Sequence, residues 1–246
     1  MKLAKRWYSN RVESEVLVCR WGTYGRPVLI FPTAGGDAEE IERFLMIKVL
    51  APLIEAGKIK VYSCDSVAGA TWLKKESSAR RCSYIQNQFD SFIYHELVPA
   101  IRHDCQDGGV EIVAAGASIG AFNALASICR HPDVFSHAYC LSGTYDLAKW
   151  LDGEWNSDFY FSSPLHYLPG LGETEQLRKL RERFVVIATG EGNWEDPGES
   201  WKAARVLGDK GVPNRVDPWG KEWHHDWVTW RAMMPHYLEQ LVGKPG

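Results

Sequence analysis

Short apolar runs alternate with longer amphipathic stretches along the chain. Stretches such as 37–57 and 88–105 carry apolar residues at helical spacing, which predicts helices. The short runs are rich in aliphatic and aromatic residues and are bounded by Gly, Pro or charge, which predicts β-strands. They are EVLVCRW, RPVLIFP, IKVYSCDS, VEIVAAG, SHAYCLSG and FVVIATG. The alternation predicts an α/β fold whose mainly parallel central sheet is covered by helices on both faces.

Three segments add detail to this plan. Residues 6–25 predict an antiparallel hairpin at the edge of the sheet. Segment 67–88 is polar and basic, and segment 143–183 is an irregular insertion. Long loops in a compact domain are often lids or binding loops, and we expect a lid-like role for 143–183. Since no repeat or linker divides the chain, residues 1–246 are predicted to form a single domain.

Composition narrows the classes of partner. The formal net charge is −3, from 28 basic and 31 acidic residues spread along the chain, so we expect no nucleic-acid partner. No apolar stretch approaches the length of a membrane span and the N-terminus lacks an apolar signal core, so we expect a soluble cytoplasmic protein. The six cysteines lie far apart without a CxxC pair, which favours reduced thiols over a disulfide framework or a metal site.

The sequence GASIG at 116–120 fits the G-x-S-x-G pattern of a nucleophilic serine. A predicted strand precedes it and a predicted helix of small residues follows it. A serine on such a sharp turn needs very small neighbours, and Gly116 and Gly120 supply them. The motif predicts that Ser118 is a nucleophile; the alternative is that Ser118 only caps the following helix.

A nucleophilic serine requires a histidine as base and a carboxylate to orient that histidine, in the chain order Ser, acid, His. His224 and His225 follow the apolar segment RVDPWG, where the last strand should deliver the base. The sequence HDWVTWR, which begins at His225, resembles the HDW-x-x-W signature of an esterase family of α/β hydrolases. Relatives in this family include esterase D (S-formylglutathione hydrolase) and the antigen 85 mycolyltransferases.

The resemblance extends over most of the chain. It includes the oxyanion-loop strand RPVLIFPTAGGD, the helix FIYHELVPAIRHD, the elbow GASIGAFNAL and the segment ARVLGDKGVPNRVDPWG. It implies the α/β-hydrolase fold and makes His225 the catalytic base. His224 occupies a position that is often glycine in the family.

Three carboxylates follow the strand FVVIATG and are candidates for the acid. We favour Glu195, because its position after Trp194 leaves room for the chain to turn back toward His225. Asp196 and Glu191 remain open alternatives, and Asp196 could instead cap the next helix. Many family members have a shorter loop with aspartate here.

Backbone N–H groups of Ile119 and Ala34 are predicted to form the oxyanion hole. TAGGD at 33–37 could also bind phosphate, but it lacks the lysine of a phosphate loop. Four side chains are expected to contact the substrate: Thr33, Trp72, Tyr84 and Trp194. Arg80 or Arg81 could clamp an anionic group of the substrate, the alternative being a solvated basic loop.

The sequence HHD at 224–226 does not predict a metal site, because adjacent residues on an extended loop point apart. We expect Asp226 to be structural and no cofactor to be needed. The sequence thus predicts a serine esterase that cleaves a small-molecule carboxylic ester through an acyl-enzyme. The alternatives are an acyltransferase with the same acyl-serine chemistry and a non-catalytic binding module of this fold. A homodimer contact through 143–183 or exposed tryptophans also stays open.

Overall fold

The computed structural model describes residues 1–74 and 77–244. Within these ranges eight strands form one sheet in the order β1-β2-β4-β3-β5-β6-β7-β8. They are β1 (Lys2–Ser9), β2 (Ser14–Trp21), β3 (Arg26–Phe31), β4 (Ile59–Cys64), β5 (Ile112–Ala117), β6 (Phe135–Leu141), β7 (Phe184–Thr189) and β8 (Asn214–Pro218). β1 and β2 form an antiparallel hairpin, β2 is antiparallel to β4, and the other neighbours are parallel. The predicted sheet and its N-terminal hairpin are confirmed.

Helices cover both faces of the sheet. They are α1 (Glu40–Arg43), α2 (Met46–Glu55), α3 (Val67–Leu73), α4 (Ala79–Phe92), α5 (Val98–Asp104), α6 (Ile119–Arg130), α7 (Ser157–Ser162), α8 (Pro164–Tyr167), α9 (Glu175–Leu180), α10 (Pro197–Asp209) and α11 (Trp227–Val242). Because successive side chains of a strand point to opposite faces, the central strands contribute to two separate cores. Leu29 and Phe31 of β3 pack into one core, and Val28 and Ile30 pack into the other.

The order of the parallel strands reverses between β3 and β5. From β3 the chain crosses to β4 on one side, and after α5 it returns to place β5 on the other side of β3. Phe31 pairs with Gly116 in this register, so the carboxyl ends of β3 and β5 lie level. Such a switch point leaves a crevice beyond the strand ends, where ligands bind in open α/β sheets.

Three predicted segments differ from the structure. Segment 67–88 is not a loop, because α3 and most of α4 lie within it; Ser78 caps α4 by accepting a hydrogen bond from the Arg81 N–H. The helix expected over 37–57 is broken between α1 and α2, where Leu45 has a positive φ of 64°. The helix predicted over 88–105 continues from α4 into α5 through a π-helical turn, Ile93–Leu97, just before Pro99. Proline lacks the N–H that would bond to the preceding turn, which accounts for the irregularity.

Segment 143–183 consists of short helical pieces. Two 3₁₀ turns, Leu147–Trp150 and Leu168–Gly170, accompany α7, α8 and α9. Hydrophilic side chains cap several of these pieces: Asn156 caps α7 and Thr174 caps α9. Asn87 of α4 donates a hydrogen bond to Asp158 of α7, so the α7 part of this segment packs against α4.

Candidate active site

Ser118 lies on the tight turn between β5 and α6. Its backbone has φ 57° and ψ −124°, outside the regions that residues with a side chain normally occupy. A Cβ at Gly116 would lie 2.4 Å from the Gly120 carbonyl, and a Cβ at Gly120 would lie 2.5 Å from the Phe31 carbonyl oxygen. The turn therefore requires both glycines. Ser118 stands at the N-cap position of α6, but its hydroxyl makes no capping hydrogen bond.

The Ser118 hydroxyl instead faces His225. Its Oγ lies 3.1 Å from His225 Nε2, which is hydrogen-bonding distance. His225 follows β8 and directly precedes Asp226, whose side chain caps α11 by accepting from the N–H groups of Val228 and Thr229. Asp226 thus fixes the start of the helix beside His225 and does not contact Ser118.

The loops that carry the acid and the base are joined to each other. We call residues 190–195 the acid loop and residues 219–226 the histidine loop. Backbone hydrogen bonds join Glu191 N–H to Gly220, Gly192 N–H to Trp223, and His225 N–H to Asn193. In addition, the Asn193 N–H donates to His224 Nδ1 at 2.8 Å. These contacts assign His224 to the support of the loops and leave His225 directed at Ser118.

Of the three candidate acids, Glu195 is the one that the structure brings to His225. Its side chain is 1% exposed, and its Oε2 lies 3.6 Å from His225 Nδ1. Asp196 is the N-cap of α10, where it accepts a hydrogen bond from the Gly198 N–H. Glu191 is exposed. Trp194, just before Glu195, has a positive φ of 67°.

Sequence reasoning missed two residues that support this carboxylate. Ser142, one residue beyond β6, donates its hydroxyl to Glu195 Oε1 at 2.6 Å. Glu199 of α10 is buried and accepts hydrogen bonds from the N–H groups of Tyr145 and Asp146, which fixes the chain after Ser142. Ser142 follows β6, whose carboxyl end lies between those of β5 and β7, but nothing in the local sequence marks its hydroxyl as a partner of Glu195.

The expected oxyanion donors, Ala34 and Ile119, lie at the carboxyl ends of β3 and β5. Ala34 packs against the small apolar cluster that contains Ile119. Neither N–H donates a hydrogen bond to another residue of the described ranges. Thr33 is occupied elsewhere: its N–H and hydroxyl both donate to the Glu40 carboxylate, at 2.8 and 2.6 Å. Burial raises the pKa of Glu40, and the two hydrogen bonds from Thr33 oppose that rise.

The three aromatic residues expected at the substrate site lie in three different surroundings. Trp72 packs against the cluster of Ile119 and Ala34, with its ring centroid 5.9 Å from that of Trp150. Trp194 is 91% exposed on the acid loop. Tyr84 packs against the main core cluster, not against the cluster of Trp72.

The two arginines considered as clamps are both exposed. Arg81 lies over the Tyr84 ring, and its guanidinium pairs with Glu13 at 2.8 Å. Arg81 is therefore paired with the N-terminal hairpin and is not directed at Ser118.

No group of three or more His, Cys, Asp or Glu side chains within 1–74 and 77–244 has an arrangement that could hold a metal ion. In the same ranges, no helix is both long enough and apolar enough to cross a membrane.

Comparison with known structures gives the same fold at low sequence identity. A ferulic acid esterase is 17% identical with a TM-score of 0.74, covering 98% of this chain and 97% of that chain. The S-formylglutathione hydrolase of Agrobacterium tumefaciens is 12% identical with a TM-score of 0.73, covering 100% and 96%. Mycobacterium tuberculosis MPT51 is 16% identical with a TM-score of 0.66, covering 99% and 100%. A search of curated protein sequences found no match.

A family profile does match the sequence. The profile described as "Putative esterase" matches residues 74–241, more than half of the chain. The expected resemblance and the expected α/β-hydrolase fold are both confirmed. The chain belongs to this esterase family and is a carboxylic ester hydrolase with the α/β-hydrolase fold.

Proposed function

We propose that the protein hydrolyses a small-molecule carboxylic ester through an acyl-serine intermediate, with Ser118, His225 and Glu195 as its catalytic triad. The observation that carries the proposal is the alignment of the three side chains, at 3.1 Å from Ser118 Oγ to His225 Nε2 and 3.6 Å from His225 Nδ1 to Glu195 Oε2. Their order in the chain, Ser, acid, His, is that of other α/β hydrolases.

In the first half of the reaction, Ser118 Oγ attacks the ester carbonyl carbon while His225 Nε2 takes the hydroxyl proton. The carbonyl π electrons move to the oxygen, which becomes an oxyanion held by the N–H groups of Ala34 and Ile119. The C–O bond to the alcohol then breaks, and the proton on His225 passes to the leaving oxygen. The acyl group remains on Ser118 as an ester.

In the second half, water replaces the alcohol. His225 takes a proton from water, the resulting hydroxide attacks the acyl carbon, and Ser118 leaves with the proton that His225 returns. Glu195 holds the Nδ1–H tautomer of His225 and stabilises the imidazolium that forms in each half. The buried position of Glu195 keeps its negative charge poorly screened by water, which strengthens this effect.

The test is hydrolysis of p-nitrophenyl esters of increasing acyl length by the native chain, Ser118→Ala and His225→Ala. We expect turnover of at least the short esters and a loss of more than about a thousandfold in kcat for each variant. A fluorophosphonate probe should label the native chain at Ser118 and leave Ser118→Ala unlabelled. Turnover that survives in Ser118→Ala would overturn the assignment of the nucleophile.

Product analysis with an added alcohol or amine separates hydrolysis from acyl transfer, because both begin with the same acyl-serine. We expect the free acid as the main product. A predominant acylated acceptor would reassign the protein to acyl transfer, and a native chain that neither turns over esters nor reacts with the probe would indicate a non-catalytic module.

A further inference from the structure

A cavity lies between the N-terminal hairpin and α5, and Ser118 is not among its lining residues. Its volume is about 300 Å³. Alternate residues of β1 and β2, which share one face of the sheet, form one wall, and α5 with the residues around it forms the other. The apolar lining residues are Leu3, Trp7, Val18, Leu97 and Ile101. Trp7 donates its indole N–H to Glu96 outside the cavity, so its ring presents an apolar surface.

One end of this cavity is charged. Asp104 lies there, paired with the buried Lys60 at 2.7 Å and accepting a hydrogen bond from the Tyr62 hydroxyl at 2.6 Å. Arg20 approaches the same carboxylate only to 3.5 Å. The Nε of Arg20 is buried and out of reach of a ligand, but Nη2 is not buried and has no hydrogen-bond partner among the described residues. The guanidinium lines the cavity with this donor unused.

The charges that line the cavity do not balance. Among the lining residues that the structure describes, Lys5 and Arg20 carry positive charges and Asp104 is the one carboxylate, so the formal sum is +1 with His103 neutral. A carboxylate or similar anion suits a guanidinium without full partners best, because its oxygens match the fork of N–H groups.

We propose that this cavity is a binding site for an amphipathic carboxylate, an unbranched acyl chain of roughly eight to ten carbons with its carboxylate on Arg20. The chain lies along Leu3, Trp7 and Ile101, and the carboxylate accepts a hydrogen bond from Nη2 of Arg20. The site is separate from the catalytic crevice, because it lies on β1, β2, β4 and α5, whereas the crevice is formed by residues that follow β3, β5, β7 and β8.

The test is calorimetric titration of the full chain with decanoate, beside decan-1-ol, which has the same tail without the charge. We expect saturable binding of decanoate, at least tenfold weaker binding in Arg20→Gln, and weak binding of the alcohol. Ala100→Trp fills the cavity from the exposed face of α5 without changing charge, and it should also abolish binding. Arg102→Gln is the matched control, because Arg102 also lies on α5 but bonds to the Val110 carbonyl oxygen and does not line the cavity.

Two further measurements separate this site from the catalytic one. Decanoate binding should persist in Ser118→Ala, and the cavity variants should keep the turnover of p-nitrophenyl acetate, which also shows that they fold. Absence of saturable binding to the native chain, or equal affinity in Arg20→Gln, Ala100→Trp and the native chain, would overturn the proposal. Neither outcome depends on whether the triad assignment is correct.

Discussion

The hydroxyl of Ser142 donates a hydrogen bond to Oε1 of Glu195 across 2.6 Å. The bond occupies one carboxylate oxygen and leaves Oε2 on the side of His225. Ser142 is buried, has a positive φ of 46°, and donates its backbone N–H to the Ala188 carbonyl oxygen at 2.7 Å. The residue that follows β6 is thus tied to the end of β7 and orients the carboxylate in the acid loop.

Substitution Ser142→Ala should lower kcat by about 10- to 100-fold, because hydrogen bonds to charged groups contribute roughly 1.5–3 kcal/mol. KM should change little, since Ser142 faces Glu195 and not the crevice. The measurement is steady-state hydrolysis of a p-nitrophenyl ester. Ser200→Ala is a matched control: Ser200 is also buried, and its hydroxyl has no hydrogen bond within the part of the chain that the structure describes. A kcat equal to that of the control would contradict the positioning role.

Replacement of Glu195 or of its neighbour Asp196 by the corresponding amide should have opposite effects on kcat. Glu195→Gln keeps the shape but removes the charge that holds the tautomer of His225, so kcat should fall by about three to four orders of magnitude. Asp196→Asn should keep nearly full kcat, because Asp196 caps α10 and asparagine is an equally good cap. Steady-state ester hydrolysis by both variants, measured side by side, identifies the triad acid. Activity lost in Asp196→Asn and kept in Glu195→Gln would reverse the assignment.

Gly192→Ala should impair catalysis from a position outside the triad. A Cβ at Gly192 would lie 2.1 Å from His224 Nδ1 and 2.7 Å from the Trp223 carbonyl oxygen, so the histidine loop must shift. We expect a lower kcat and a lower melting temperature than in Gly172→Ala, since a Cβ at Gly172 meets no atom within 4 Å. Thermal unfolding and ester hydrolysis of both variants provide the check. Equal behaviour of the two would mean that the loops are not closely packed.

The stability of the fold should decrease as the pH falls below about 6.5. Burial lowers the pKa of His137 from its ordinary 6.5; the cations Arg26 and Arg183 lower it further, and Glu111 opposes them. Between the lowered pKa and 6.5, the unfolded chain binds a proton that the folded chain does not, so the free energy of unfolding decreases as the pH falls. Urea unfolding at pH 7.5 and 5.5 should show a smaller decrease for His137→Gln. Burial also lowers the pKa of His166, so part of the pH dependence of stability should remain in His137→Gln. Equal slopes for the variant and the native chain would exclude His137 as a source.

The strands and the elbow could be predicted from the sequence because each depends on local pattern. Apolar runs bounded by Gly and Pro locate β2 to β7, and GASIG places Ser118 on a turn between strand and helix. Helix α3 and the part of α4 before residue 88 were not predicted. The polar composition of α4 hides its buried face, where residues such as Ser83 and Gln86 are covered by neighbouring elements. Ser142 was also missed: its contact with Glu195 spans 53 residues, and nothing in the local sequence LSGTYD marks the hydroxyl as a partner of a distant carboxylate.

The pairing of the acid loop with the histidine loop has a consequence for how this site can be altered. Because Glu191, Gly192 and Asn193 are each hydrogen-bonded to the opposite loop, an insertion or deletion in one would leave unpaired groups in the other. The two loops should therefore vary in length together among natural variants. An engineer who transplants the acid of a related enzyme into this chain would need to bring that enzyme's histidine loop with it.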